Sequence, residues 1–305
     1  MKTLFRTVVA MMSVVAYLSG CGLGQTKTET ETTDSLSTES ISGSLAFHQV
    51  VYTDSLSKGE YVNITQNIQI DWPNPADESL LADSIRHWIA SLVESSSFPY
   101  AFDADDKEKL IYGGDIHEGQ SLVDFFGKYG MEKMMSEVAA AEADSLPIFG
   151  MSNDLKVIQL YHTDKYITMT VGYYVFLGGA HGGFSCSGSV FRKSDGHEMG
   201  WDIIDLTKKS QLIALIQKGL LSYFSVNDEN ELFESLLLLD DPDTAQDESA
   251  ELPLPAMAPY FTPEGVCFVY QQYEIAPYAA GLPTVVIPFE QMRPLLSNDG
   301  LSLLD

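Results

Sequence analysis

Apolar and polar residues alternate with a period of two in some stretches and near 3.6 in others, and this pattern lays out the expected elements. Phe47–Thr53 and Glu60–Asp71 read as strands. Val62, Ile64, Ile68 and Ile70 carry the second, while Gln66-Asn67 interrupts its alternation and predicts a bulge. Asn74-Pro75-Ala76-Asp77 supplies an N-cap, a first-turn proline and a first-turn acid. Leu81, Ile85, Trp88, Ile89 and Leu92 follow at helical spacing, predicting a helix over Pro75–Val93. His87 lies beside that stripe and reads as a packed or surface residue. After the irregular, polar stretch 95–115, a second helix starts near Ser121, with Leu122, Phe125, Phe126 and Tyr129 on one face. Gly130 is expected to break it before Met131–Ala143 resumes. Met131, Met134 and Met135 read as core filler, with an adaptable binding surface as the alternative.

Leu155–Tyr161 and Tyr166–Phe176 form an expected hairpin around His162–Lys165, followed by a glycine-rich connection, a strand over Phe184–Arg192 and a turn at Ser194-Asp195-Gly196. Thr207 caps a helix whose buried stripe is Leu212, Leu215, Ile216, Leu220 and Tyr223. Leu232–Leu239 is helical in pattern, and Asp240–Glu251 is an acidic loop. Pro263-Glu264-Gly265 turns into a strand over Val266–Gln271. Tyr273–Gly281 is too broken by Pro and Gly for a central strand and too apolar for a free loop, so it is expected to be a packed crossover. Thr284–Ile287 is a second short strand, and Pro288 opens a closing helix over Phe289–Leu296. Strict βαβ alternation is missing, so the fold class is α+β, with antiparallel sheets and helices packed on one face. One antiparallel sheet is expected from residues 155–192 and 258–287, with helices 75–93 and 207–223 on sheets. The folded part divides into an N-terminal α+β segment, 45–150, and a C-terminal α+β domain, 151–305.

The ends of the chain add an address. Lys2 and Arg6 precede the apolar run Val8–Leu18, and Leu18-Ser19-Gly20-Cys21 follows. That architecture is a secretory signal rather than a span. A cysteine directly after Leu-Ser-Gly resembles a bacterial lipobox, which implies a signal peptide over 1–20 and lipidation of Cys21. Residues 21–44 are rich in Ser, Thr and Glu and read as a disordered tether. The expected location is extracytoplasmic in the bacterial cell envelope, joined to a membrane through the N-terminal lipid only. The net charge of −26 becomes about −28 when residues 1–20 remove Lys2 and Arg6 and no acid. Such a surface argues against nucleic acid and favours solubility and basic partners. Cys186 and Cys267 both lie in strand-like runs, and either a bridge or two buried thiols fits. No cofactor is expected, since no zinc-ligand cluster, phosphate loop, Gly-x-Ser-x-Gly elbow or His-Glu-x-x-His motif occurs.

Two stretches carry a resemblance. Tyr273-Glu274-Ile275-Ala276-Pro277-Tyr278-Ala279-Ala280-Gly281 runs into Val285-Val286-Ile287-Pro288-Phe289, and Gly178-Gly179-Ala180-His181-Gly182 runs into a strand and the Asp195-Gly196 turn. Together they resemble a family of extracytoplasmic domains of unknown function. That family occurs in the lysozyme-sensing anti-sigma factor RsiV and beside the catalytic domain of the peptidoglycan deacetylase PdaC. Most of 160–296 is covered, and Trp201–Leu206 resembles the family's lead into a helix. No anti-sigma segment or deacetylase domain accompanies it, so the resemblance implies a sensor-like binding domain. It implies no activity of its own.

No catalytic residue is assigned. The candidate ligand-binding residues are His181, Tyr273, Glu274 and Tyr278. A glycine-flanked histidine can present its ring as acid or base, or its glycines can simply supply positive φ while the ring bonds locally. Glu274 among tyrosines can line a sugar groove, or be held by backbone donors or a cation. If the two motifs form one unit, the crossover packs on Tyr173–Phe176, with Tyr278 substantially buried and Glu274 bonded to His181 or a backbone amide. The functional expectation is a lipid-anchored envelope binding module for a lysozyme-type protein or a peptidoglycan fragment. The alternative is a glycan hydrolase or transferase using His181 and Glu274 as its acid–base pair.

Overall fold

The computed structural model describes residues 45–58, 62–97, 110–145, 150–236 and 252–305. The expected signal peptide, Cys21, the expected tether and the expected acidic loop over 240–251 lie outside the described residues. What is described is α+β, organised on a six-stranded sheet ordered β1 to β6. Its strands are β1 (Phe47–Lys58), β2 (Val62–Pro73), β3 (Met151–His162), β4 (Tyr166–Phe176), β5 (Gly183–Arg192) and the short β6 (Glu198–Met199). All neighbours are antiparallel except β2 and β3, which pair in parallel from Ile64 opposite Met151 to Ile70 opposite Val157. That parallel pair departs from the all-antiparallel expectation. It arises because two helices, and not a turn, connect the strands. It also places strands from both sides of residue 150 in one sheet.

The helices α1 (Leu80–Ser96) and α2 (Gly119–Ala143) belong to the connection between β2 and β3. Alternation sends Ile68, Ile70 and Trp72 of β2, Leu155 and Val157 of β3, and Ile167, Met169 and Val171 of β4 to one face. There they meet Leu81, Ile85 and Ile89 of α1 and Leu122 and Phe126 of α2. Helix α1 begins five residues later than expected, capped by the Ser79 side chain and not by Asn74. The cause is the fully buried Arg86. Its guanidinium takes the Asn74 and Asp77 carbonyls at 2.6 and 2.7 Å, holding residues 74–79 as a polar turn.

Gly130 does not break α2. A Cβ there would come within 2.9 Å of the buried Gln66 side chain, so the glycine serves close packing inside a continuous helix. Gln66 sits without any slip in the β1–β2 register, and the sheet's irregularity falls instead between Gln159 and Tyr161 of β3. Met131 and Met134 pack with Ile64 and Val138 as a satellite core, whereas Met135 is exposed.

The second sheet corrects the expectation of a single one. Strands β7 (Tyr260–Phe261), β8 (Gly265–Val269) and β9 (Thr284–Pro288) form a separate antiparallel sheet. One flank packs on the face of the large sheet opposite α1. There the Tyr260 ring covers Gly188 of β5, and the Phe261 ring meets Tyr166 edge-on at 5.3 Å. On its other side lies α3 (Lys209–Phe224), where Gly219 packs against Val285 of β9. Strand β8 is buried along its whole length. Cys267 within it is a free, buried thiol, so no bridge to Cys186 forms, and burial pushes its pKa up to about 11. The short α4 (Glu229–Glu234), α5 (Phe289–Met292) and α6 (Asn298–Ser302) complete the described α-helices. None of the described helices is long and apolar enough to cross a membrane.

Candidate functional site

The two motifs meet, though not where the apolar pattern suggested. Tyr173 points into the main core, so it offers the crossover no surface. The attachment is polar and uses the free edge of β5. The Gln271 side chain accepts from the Cys186 amide and donates to the Cys186 carbonyl, and Gln272 accepts from the Phe184 amide at 2.8 Å. Two glutamines thus stand in for a neighbouring strand and clip the start of the crossover beside the β4–β5 connection. Sequence reasoning passed over them; the signal was two adjacent amides directly after an apolar strand.

Beyond the clip the chain turns sharply. Tyr273 has φ of +65°, a left-handed conformation that costs a bulky residue roughly 1–2 kcal/mol. Glu274 is hydrogen-bonded, but not to His181. Its two oxygens accept from the backbone amides of Ala256 and Gln271, each at 2.6 Å. Ile275 and Ala276 are buried and anchor the middle of the segment. The turn Tyr278–Ala280 is then held by Tyr223 of α3, whose hydroxyl donates to the Ala280 carbonyl at 2.6 Å.

This scaffold holds three rings together outside the core. His181, at the tip of the glycine-rich connection, is exposed and stacks on Tyr278 with centroids 4.0 Å apart and planes 29° from parallel. Tyr273 lies 6.3 Å from the His181 ring and 6.1 Å from Tyr278. The Gly182 carbonyl can only accept, so His181 Nδ1–H donates to it at 3.0 Å. In the neutral ring Nε2 then accepts from the Tyr273 hydroxyl at 3.2 Å. The expectation of a substantially buried Tyr278 is corrected: it is half-buried under the histidine, while Tyr273 is 55% exposed. Gly182 is required beside them, because a Cβ would lie 2.4 Å from the Tyr174 ring.

Of the four candidate residues, the structure brings His181, Tyr273 and Tyr278 into one surface and turns Glu274 inward to hold the backbone. The cluster offers flat aromatic faces with a polar rim, the composition that anchors binding surfaces. A groove of about 490 Å³ lies elsewhere, against α2, lined by Tyr112, Asp124, Phe125, Lys128 and Tyr129 among others. None of the candidate residues lines it, and chemistry, not concavity, selects the ring cluster.

A family model described as "Protein of unknown function (DUF3298)" matches residues 205–290, a stretch that contains the crossover. The chain has the fold of a crystallised member of that family from Bacteroides fragilis NCTC 9343. The TM-score is 0.63 at 16% identity, covering 85% of this chain and 96% of the other. A DUF3298 family protein from Pseudomonas aeruginosa PAO1 aligns over 84% of this chain and 96% of its own, with a TM-score of 0.49 and 12% identity. No curated protein matches the chain.

Proposed function

We propose that the chain is a lipid-anchored binding module of the bacterial cell envelope, and that the His181–Tyr273–Tyr278 surface takes its ligand. The observation that carries this reading is the exposed position of Tyr273. A bulky aromatic residue is held in a left-handed backbone conformation with its ring toward solvent, where folding gains little from it. Strain of this kind persists where the surrounding structure enforces it, here through the Gln271–Gln272 clip and the two amides on Glu274. The anchor rests on Leu18-Ser19-Gly20-Cys21 and the polar tether after it.

The ligand is a basic protein of the lysozyme type. Support comes from the net charge of −26 and from the resemblance of both motifs to a domain of a lysozyme-sensing anti-sigma factor. Envelope glycan is a second reading, favoured by the flat ring faces. The hydrolase or transferase alternative is disfavoured by Glu274, whose two oxygens are already engaged by backbone amides. Titration of the purified full chain with lysozymes at physiological salt tests the reading. Saturable binding that weakens as salt rises is expected, and absence of binding would remove this partner.

A further inference from the structure

Among the described residues, the second sheet occupies only part of the face of the large sheet that carries it. Tyr260 and Phe261 occupy it over β4 and β5 at Gly188 and Tyr166. Towards the other end of β4 the same alternation places Tyr174, and directly across the strand pair, on β3, stands Asp154. Cross-strand neighbours of this kind lie about 5 Å apart. The Tyr174 ring in turn lies against Gly182, the residue after His181. Asp154, Tyr174 and the ring cluster therefore follow one another across the molecule.

Asp154 is half-buried, and one of its oxygens accepts from Asn67 at 2.5 Å. Among the described residues no lysine, arginine or histidine pairs with it, although Lys156 is the next side chain on that face. A partly desolvated carboxylate with a neutral partner only is a poor contributor to folding. We propose that Asp154 extends the contact surface beyond the rings and receives the ammonium or guanidinium of a lysine or arginine from a basic protein partner. The strongly acidic chain draws such a partner in. The inference rests on the binding-module reading and names one residue that would decide which partners fit.

The stability of Asp154 variants supplies a readout that a purely structural role would reverse. Burial raises the Asp154 pKa above the ordinary carboxyl range, opposed only by the Asn67 bond. The folded state then holds a proton that the unfolded state releases. Stability therefore falls as pH rises from the ordinary carboxyl value through the raised one. Asp154→Asn keeps the size and the acceptor for Asn67 but carries no charge. It is expected to raise the Tm at pH 7, with the gain disappearing below the ordinary carboxyl range.

Calorimetric titration of the full chain with lysozyme and with tri-arginine tests the proposal, comparing Asp154→Asn with Glu78→Gln, which removes an exposed acid elsewhere. Expected is a tenfold or greater loss of lysozyme affinity in Asp154→Asn alone, with a shallower salt dependence and no fall in Tm. Equal binding by the two variants would overturn the role of Asp154 and leave the binding-module reading standing. If lysozyme binds neither variant nor the parent chain, tri-arginine decides. Weaker binding by Asp154→Asn than by Glu78→Gln supports the cation site, and identical binding rejects it.

Discussion

Arg86→Met is expected to lower the Tm by about 10 °C, the largest loss from any single polar substitution considered. The Arg86 side chain is 0% exposed, and it donates to the Asn74 and Asp77 carbonyls and to Asp83 at 2.8 Å. Methionine fills a similar volume but leaves two carbonyls without their donor, at about 1–3 kcal/mol each. Asp83 is 40% exposed and can return to water, so its loss adds little. A total of about 2–6 kcal/mol, near 4 at its centre, converts to about 10 °C at roughly 2–4 °C per kcal/mol for a chain of this size. Arg86→Lys should recover only part, because an ammonium cannot span all three acceptors. Thermal denaturation of the three proteins checks this, and a change under about 2 °C for Arg86→Met would mean that the turn 74–79 holds without it.

Glu274→Ala is expected to release the crossover. Both carboxylate oxygens accept short backbone bonds, and charge-assisted bonds of this type contribute about 1.5–3 kcal/mol each. With partial solvent access the loss should total about 2–4 kcal/mol, concentrated between Tyr270 and Leu282. Amide hydrogen exchange reads it directly: protection in that segment should collapse while β3, β4 and β5 remain protected. Glu274→Gln retains one oxygen acceptor and should fall between. A catalytic glutamate would behave otherwise, with Glu274→Gln leaving exchange unchanged and removing an activity.

These expectations separate what the residue pattern made legible from what it did not. The strands and α3 were readable because each buries one face, and burial of one face writes a period into the sequence. The crossover was readable as packed because Ile275 and Ala276 could not remain in water. Arg86 gave no such signal, since an arginine within a helical stripe looks like a solvated residue until its acceptors are known. Asn74-Pro75 imitates a helix start for the same reason. Gly130 looked like a breaker because its partner, Gln66, lies on a strand far away in sequence. The parallel β2–β3 pair and the separation of the two sheets depend on long-range pairing, which local periodicity does not encode.

The candidate site divides the same way. Its residues were legible as motifs, and that they meet followed from treating the motifs as one unit. The orientation within the site was not legible. Aromatic residues in a packed segment read as core, so Tyr278 was expected inside, yet beyond the left-handed turn at Tyr273 its ring stacks on the exposed His181. A positive φ at a tyrosine leaves no trace in composition.

That turn also allows the most direct test of the binding surface. Glycine adopts the left-handed conformation freely, so Tyr273→Gly should leave the Tm unchanged or slightly raised, because the strain it relieves offsets the ring contacts it removes. If the ring is the anchor of a binding surface, the same substitution should weaken lysozyme binding at least tenfold, as the loss of a central aromatic contact does. Calorimetric titration of parent and Tyr273→Gly chains, with melting curves recorded on the same samples, measures both. A stable variant with reduced affinity is the predicted result; a stable variant that binds as tightly as the parent would contradict the assignment of this surface.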